Sequence, residues 1–177
     1  EIENDTVMES LTKRTALRSI GYEYEITHSL DRRGIDVALM FLPFTFKRIE
    51  SQSLRYSSRQ TTRDVLRVSG MLMTGDTLDV YAVHLPSKLN GRKSAKLRKE
   101  IVKMVRSNVD SIISLRTNPQ IIVIGDFNDN PKSNLMRKEL GASALKTDEL
   151  TQKNKLYNLT SSCRYGTYKY QGHWNTI

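Results

Sequence analysis

Gln120-Ile121-Ile122-Val123-Ile124-Gly125-Asp126-Phe127-Asn128-Asp129-Asn130-Pro131 decides how this chain reads. Residues 121–124 are a short apolar, largely β-branched run, the composition of a buried strand. Gly125 ends the run and lets the backbone approach a ligand closely. Side chains two apart on a strand share a face, so Asp126 and Asn128 are expected to point together while Phe127 turns toward the core. Asp129, Asn130 and Pro131 then make a turn. A carboxylate that accepts protons or orients water thus sits beside an amide that donates to an anionic oxygen, both at a strand end. The plainer alternative is an Asx turn capping a helix from about Lys132 to Leu140.

Upstream lies a long amphipathic helix, expected from about Ser94 to Leu115, with Leu97, Ile101, Met104, Val105, Val109 and Ile112 on its apolar face. Before it, Tyr81-Ala82-Val83-His84-Leu85-Pro86-Ser87-Lys88 places His84 at the end of a buried strand that Pro86 stops. An imidazole there either transfers a proton near neutrality and hydrogen-bonds an oxyanion, or is a structural histidine. Ser87 and Lys88 add a hydroxyl and a cation suited to phosphate. Further out, residues 4–17 read as a helix capped by Asn4 or Asp5, and Tyr22–Thr27 and Ile35–Leu42 as strands around the turn Asp31-Arg32-Arg33-Gly34. Phe44–Ile49 is a shorter strand and Ser51–Arg59 an exposed, Ser-rich loop. Val65–Met73 and Leu78–Leu85 are strands joined by Thr74-Gly75-Asp76, and short strands are expected at residues 157–159 and 167–170. Strands outnumber helices and follow one another closely enough for antiparallel pairing, which predicts an α+β sandwich.

The chain has 177 residues, 38% of them hydrophobic, enough for the one sizeable core of a single domain. No apolar run reaches the length of a membrane helix. The single cysteine, Cys163, excludes a disulfide framework and a cysteine-based zinc site, and reads as a partly buried filler. A net charge of +9 favours polyanionic partners or anionic substrates. Much of the excess lies between Lys88 and Arg106 without interleaved aromatic residues, so it is not a base-stacking platform. It is either a phosphate-contacting surface or the solvated face of a basic helix.

Two more runs carry chemistry. In Arg33-Gly34-Ile35-Asp36-Val37-Ala38-Leu39-Met40, Asp36 opens an apolar strand, a costly place for a lone carboxylate. It either caps the preceding turn or pairs with a cation such as His84 or Arg33. At the start, Glu1-Ile2-Glu3-Asn4 offers two carboxylates that either supply hard oxygen ligands for Mg²⁺ or partner a helix dipole.

Together these runs resemble the endonuclease/exonuclease/phosphatase superfamily, the metal-dependent hydrolases related to deoxyribonuclease I. Gly125-Asp126-Phe127-Asn128 matches that family's Gly-Asp-Phe-Asn motif. Val83-His84-Leu85-Pro86-Ser87 resembles its histidine motif, Arg33 to Ala38 its central strand, and Gly166-Thr167-Tyr168 with Trp174 its late region. Glu1 falls where the family places its metal-binding Glu. The resemblance implies a deoxyribonuclease I-like four-layer α/β/β/α sandwich over residues 1–177, lacking the family's first, Asn-bearing strand and its C-terminal Asp and Asp-His segment. It implies hydrolysis of a phosphate ester with Mg²⁺, or Mn²⁺ in its place; the chain is expected to be a monomer. Glu1 would ligate the metal, Asp126 orient or deprotonate the water, and Asn128 hold a phosphate oxygen or the water. His84 would stabilise the transition state or protonate the leaving oxygen, Asp36 would orient His84, and Lys88 and Arg92 would contact substrate. The family includes nucleases, inositol-phosphate phosphatases and sphingomyelinases; the basic charge tilts the reading toward nucleic acid. The alternative is a catalytically inactive, basic nucleic-acid-binding or interaction module of the same fold.

Overall fold

A computed structural model describes residues 1–57, 61–145, 154–163, 166–170 and 172–175. The chain divides into two compact units, one of Glu1–His84 and Thr117–Gly125, the other of Leu85–Arg116 and Asp126–Ile177.

In the first unit, helix α1 (Asp5–Arg14) begins where the Val7 amide donates to Asn4 Oδ1 at 3.1 Å. This satisfies one of the N–H groups that a helix start leaves without a partner. Met8 and Thr12, one turn apart, form its buried face. The helix stops short of residue 17 because Thr15 leaves helical backbone and accepts the Leu17 amide, opening a separate 3₁₀ turn over Ala16–Ser19.

Strand β1 (Glu23–Ile26) pairs antiparallel with β2 (Ala38–Phe41). A second sheet has the order β3 (Phe46–Leu54), β4 (Val65–Leu72), β5 (Thr77–His84), β6 (Gln120–Asp126), with β3, β4 and β5 antiparallel. The cross-strand pairs Leu66 with Ala82 and Val68 with Val80 share one face. That face packs on Val37, Phe41 and Phe46 as a buried core between the two sheets. The Phe41 and Phe46 rings meet edge to face, centroids 5.4 Å apart. The opposite face of β4 and β5 is buried too, and carries polar residues: Asp79 accepts from the Ser69 hydroxyl, with the Arg67 guanidinium 3.9 Å away.

β3 departs from expectation, since Ser51–Leu54, read as loop, continues the strand. Its residues are mostly exposed, so a strand at the sheet's edge needs no apolar composition there. A bulge between Arg48 and Glu50 also breaks its alternation. Ser58 and Arg59, the end of the expected loop, lie outside the described residues. β2 is shorter than predicted: Ile35 to Val37 lie outside it, and Asp36 forms an isolated bridge with Ile2.

The second unit is built on α2 (Gly91–Leu115), which buries Leu97, Ile101, Val102, Val105, Val109 and Ile112 along one side. Instead of a helix over Lys132–Leu140 there is one π-helical turn, Leu135–Glu139, closed by the Leu140 amide on the Leu135 carbonyl at 3.0 Å. Asn130 and Ser133 side chains accept the Lys132 and Met136 amides, local bonds that compete with a regular helix. Strands β7 (Ala142–Ala144) and β8 (Leu156–Asn158) pair in parallel, and β9 (Tyr168–Tyr170) and β10 (His173–Asn175) antiparallel. Cys163 is exposed rather than a partly buried filler. Among the described residues no helix is long and apolar enough to cross a membrane.

Candidate active site

β6 ends at Asp126, and Asn128 does not continue it. Asn128 has a φ of 48°, in the left-handed region that Asn tolerates. The expected juxtaposition is real, but its cause is a turn rather than strand alternation. The Asn128 amide donates to Asp126 Oδ1 at 2.7 Å, and the Asn128 side-chain Nδ2 donates to Asp126 Oδ2 at 3.1 Å. Nδ2 also donates to the Leu85 carbonyl at 3.0 Å. Both side-chain amide hydrogens are thereby engaged within the protein. Its geometry makes it the residue that holds Asp126.

Leu85 is bound on both sides, because its own amide donates to the Asp126 carbonyl at 2.8 Å. Further along, the Arg98 guanidinium donates from Nη1 to the Pro86 carbonyl at 2.9 Å and to the Ser87 carbonyl at 3.1 Å. Lys88 reaches Asp129, 3.3 Å away. Arg92 is exposed at the start of α2, as are Lys93 and Lys96. Other cations of this helix are occupied: Lys99 pairs with Glu139 at 2.8 Å, and Arg106 with Asp110 at 2.5 Å. The Lys99 ammonium donates a hydrogen bond to the Glu139 carboxylate and holds it below the ordinary range. A shallow groove of about 500 Å³ along α2 is lined by Lys103, Arg106, Asp110 and Glu139, and holds none of the motif residues.

In the first unit, His84 closes β5 on the face of Val80 and Ala82, half-buried at the strand end. Its carbonyl accepts from Arg63 Nε at 3.1 Å. Arg63, only 5% exposed, also pairs with Asp31 at 3.1 Å. Burial pushes its guanidinium pKa down against the neighbouring Asp31 and Glu1 carboxylates. Burial likewise pushes the Asp31 carboxyl up, but hydrogen bonds from Arg33 and Arg63 outweigh it and hold Asp31 below its usual value.

Asp36, expected to orient His84, is buried, and the hydrogen bonds of its carboxylate are local. Its carboxylate accepts on Oδ1 from the Thr27 hydroxyl at 2.8 Å, the Ser29 amide at 2.7 Å and the Ser29 hydroxyl at 2.5 Å. Ser29 Oγ in turn accepts the Asp64 amide, so Asp36 ties the loop after β1 to the residues leading into β4. A carboxylate met by three local donors has no need of a cation. Glu1 is exposed, next to the Ile2–Asp36 bridge, and close enough to act on Arg63 by its charge.

Among the described residues no three of His, Cys, Asp and Glu gather to hold a metal ion. Mg²⁺ does not require such a cage, since it keeps several waters and takes one or two carboxylates with the substrate's phosphate oxygens. The exposed, hard Glu1 carboxylate fits that need. Sequence reasoning missed Asp31, Arg63 and Arg98. The two arginines stand in basic surroundings that read as solvated, and only their burial distinguishes them.

The elements and the Asp126–Asn128 turn define a deoxyribonuclease I-like α+β protein. The family model of the Endonuclease/Exonuclease/phosphatase family matches residues 1–177, and the chain belongs to that family. No curated protein matches it. The human Nocturnin catalytic domain with bound sulfate anion superposes with a TM-score of 0.60 at 19% identity, over 76% of this chain and 52% of that one. ANGEL2, described as a 2',3'-cyclic phosphatase, gives 0.60 at 17% identity, over 81% and 46%. A humanized D. rerio TDP2 gives 0.54 at 20% identity, over 73% and 47%. The chain thus spans about half the length of the solved structures it matches, and at these identities the likeness speaks for the fold.

Proposed function

We propose that the protein hydrolyses phosphate esters with a divalent cation, Mg²⁺ first and Mn²⁺ as its substitute. The observation that carries this reading is the Asp126 carboxylate, held at the end of β6 by two donors of Asn128. Such a fixed base can orient a water and take its proton as the water attacks phosphorus in line. Glu1 would ligate the cation, which supplies neutralisation of the phosphoryl charge when bound. His84 donates a hydrogen bond to the developing oxyanion or a proton to the leaving oxygen. Lys88 and Arg92 contribute positive charge toward the substrate.

Nucleic acid is the substrate class that the net charge of +9 favours. D. rerio TDP2 has been seen with a single-strand DNA product and ANGEL2 with adenosine-2',3'-vanadate, which agrees with that class. The second reading, a basic module that binds nucleic acid without chemistry, draws on the exposed Arg92, Lys93 and Lys96. It leaves the Asp126 carboxylate unexplained, because a carboxylate repels a bare phosphate.

Turnover of a simple phosphodiester by the intact protein, with Mg²⁺ or Mn²⁺ and then with excess chelator, tests the proposal. Asp126→Asn and His84→Ala are each expected to lower turnover by about two or more orders of magnitude without loss of folding. Undiminished turnover in chelator removes the metal, and near-parental turnover in either variant removes that residue.

A further inference from the structure

Arg98 is a cation at 5% exposure. Its Nε is buried without a hydrogen-bond partner, and among the described residues no carboxylate pairs with it. Burying a guanidinium without a counter-charge is costly, so a fold that keeps one there gains something from its other donors. Those donors go to consecutive carbonyls, Pro86 and Ser87, through a single nitrogen, Nη1. The residue before them, Leu85, is the one whose carbonyl holds the Asn128 amide and whose amide reaches the Asp126 carbonyl. The Leu85–Ser87 loop is thus gripped by Arg98 at one end and by the Asp126–Asn128 turn at the other.

We propose that Arg98 is a positioning residue for the reaction: by fixing the Pro86 and Ser87 carbonyls it holds Leu85 where it captures the Asn128 amide, and so sets the Asp126 carboxylate. Arg98 touches neither substrate nor reacting atoms. Its role is to remove a competing freedom, because a loop free to swing would carry the Leu85 carbonyl away and release one of the two bonds that fix the Asn128 side chain. Lysine keeps the charge but not the planar fork that pre-organises the guanidinium's donors. Charge alone therefore does not replace Arg98.

The kinetic part of the test rests on the phosphoesterase reading; the exchange part does not. In the intact protein, Arg98→Lys and Arg98→Met are compared with the parent by amide hydrogen exchange and by steady-state kinetics. Exchange over residues 85–88 and, with it, over 126–129 is expected to speed up about tenfold or more, while the C-terminal half of α2 stays protected. Turnover is expected to fall roughly tenfold with KM within about twofold, and Asn128→Ala added to either variant costs much less than it does alone, because both act through one linkage. Coupling is reciprocal, so Asn128→Ala by itself should loosen residues 85–88, a measurement that stands even where the Arg98 variants fail to fold. Loosening confined to residues 85–88 in the Arg98 variants, or residues 85–88 unchanged in Asn128→Ala, overturns the proposal. A parent protein without hydrolytic activity overturns the phosphoesterase reading and leaves the exchange result to decide the linkage.

Discussion

Asp31 shows how much a single carboxylate can be asked to hold. It receives Arg33 and the buried Arg63, whose Nε grips the His84 carbonyl. A carboxyl held below its usual range in the folded state stabilises the fold fully above its unfolded pKa, about 3.9, and loses that contribution as pH falls through the lower folded value. Asp31→Asn is therefore expected to destabilise the protein at neutral pH and to matter progressively less below about pH 4. Urea denaturation of parent and variant across pH checks this, and a constant difference from neutral to acid would refute it. At this scale the sequence was partly legible. Asp126 and His84 stand out because each follows an apolar strand at its end, although a capping acid and a structural histidine would read the same way. Asp36 stood out equally, but its local partners did not, because Thr27 and Ser29 are nine and seven positions away and carry no signal of their own.

At the level of elements, β5 and β6 meet so closely at Gly125 that a side chain has no room. Gly125 has a φ of +135°, and a Cβ there would lie 2.0 Å from the Val83 carbonyl oxygen. Gly125→Ala is expected to destabilise the fold by roughly 1–3 kcal/mol or more, since both the backbone angle and the contact must yield. Denaturant titration of the intact variant reads this directly; stability within about 0.5 kcal/mol of the parent would mean that the strand ends are not so tightly apposed. The glycine of the motif is thus held by the backbone geometry of the strand end. A continuous apolar run located β6, apolar stretches around a Gly turn located β4 and β5, and helical periodicity located α2. β3 escaped because an edge strand with a solvated face and a bulge loses the alternation that marks strands. The Asn128 turn escaped for another reason: an isolated left-handed Asn looks, in sequence, like one more strand residue.

For the whole molecule, charge is the property that sequence gives most directly and interprets least. The excess of positive charge is plain, yet Arg98 is buried and Lys99 and Arg106 are paired, so only some of the helix cations remain to meet a partner. If Arg92, Lys93 and Lys96 contact phosphates, DNA affinity of the intact protein falls roughly tenfold or more from low to moderate salt. A filter-binding or anisotropy series across salt measures it, and no binding even at low salt would exclude nucleic acid as the partner. The α+β class was legible because strand-rich patterning and one long amphipathic helix admit few arrangements. The pairing of β7 with β8 was not, since three-residue strands are too short for a period. Among the described residues β6 is last in the order of its sheet, with Ile122 and Ile124 46% and 55% exposed. A β-branched border of that kind is adhesive. Concentrated solutions of the chain will therefore tend toward cross-strand self-association, and a charge introduced on that border would act as a gatekeeper for handling it in vitro.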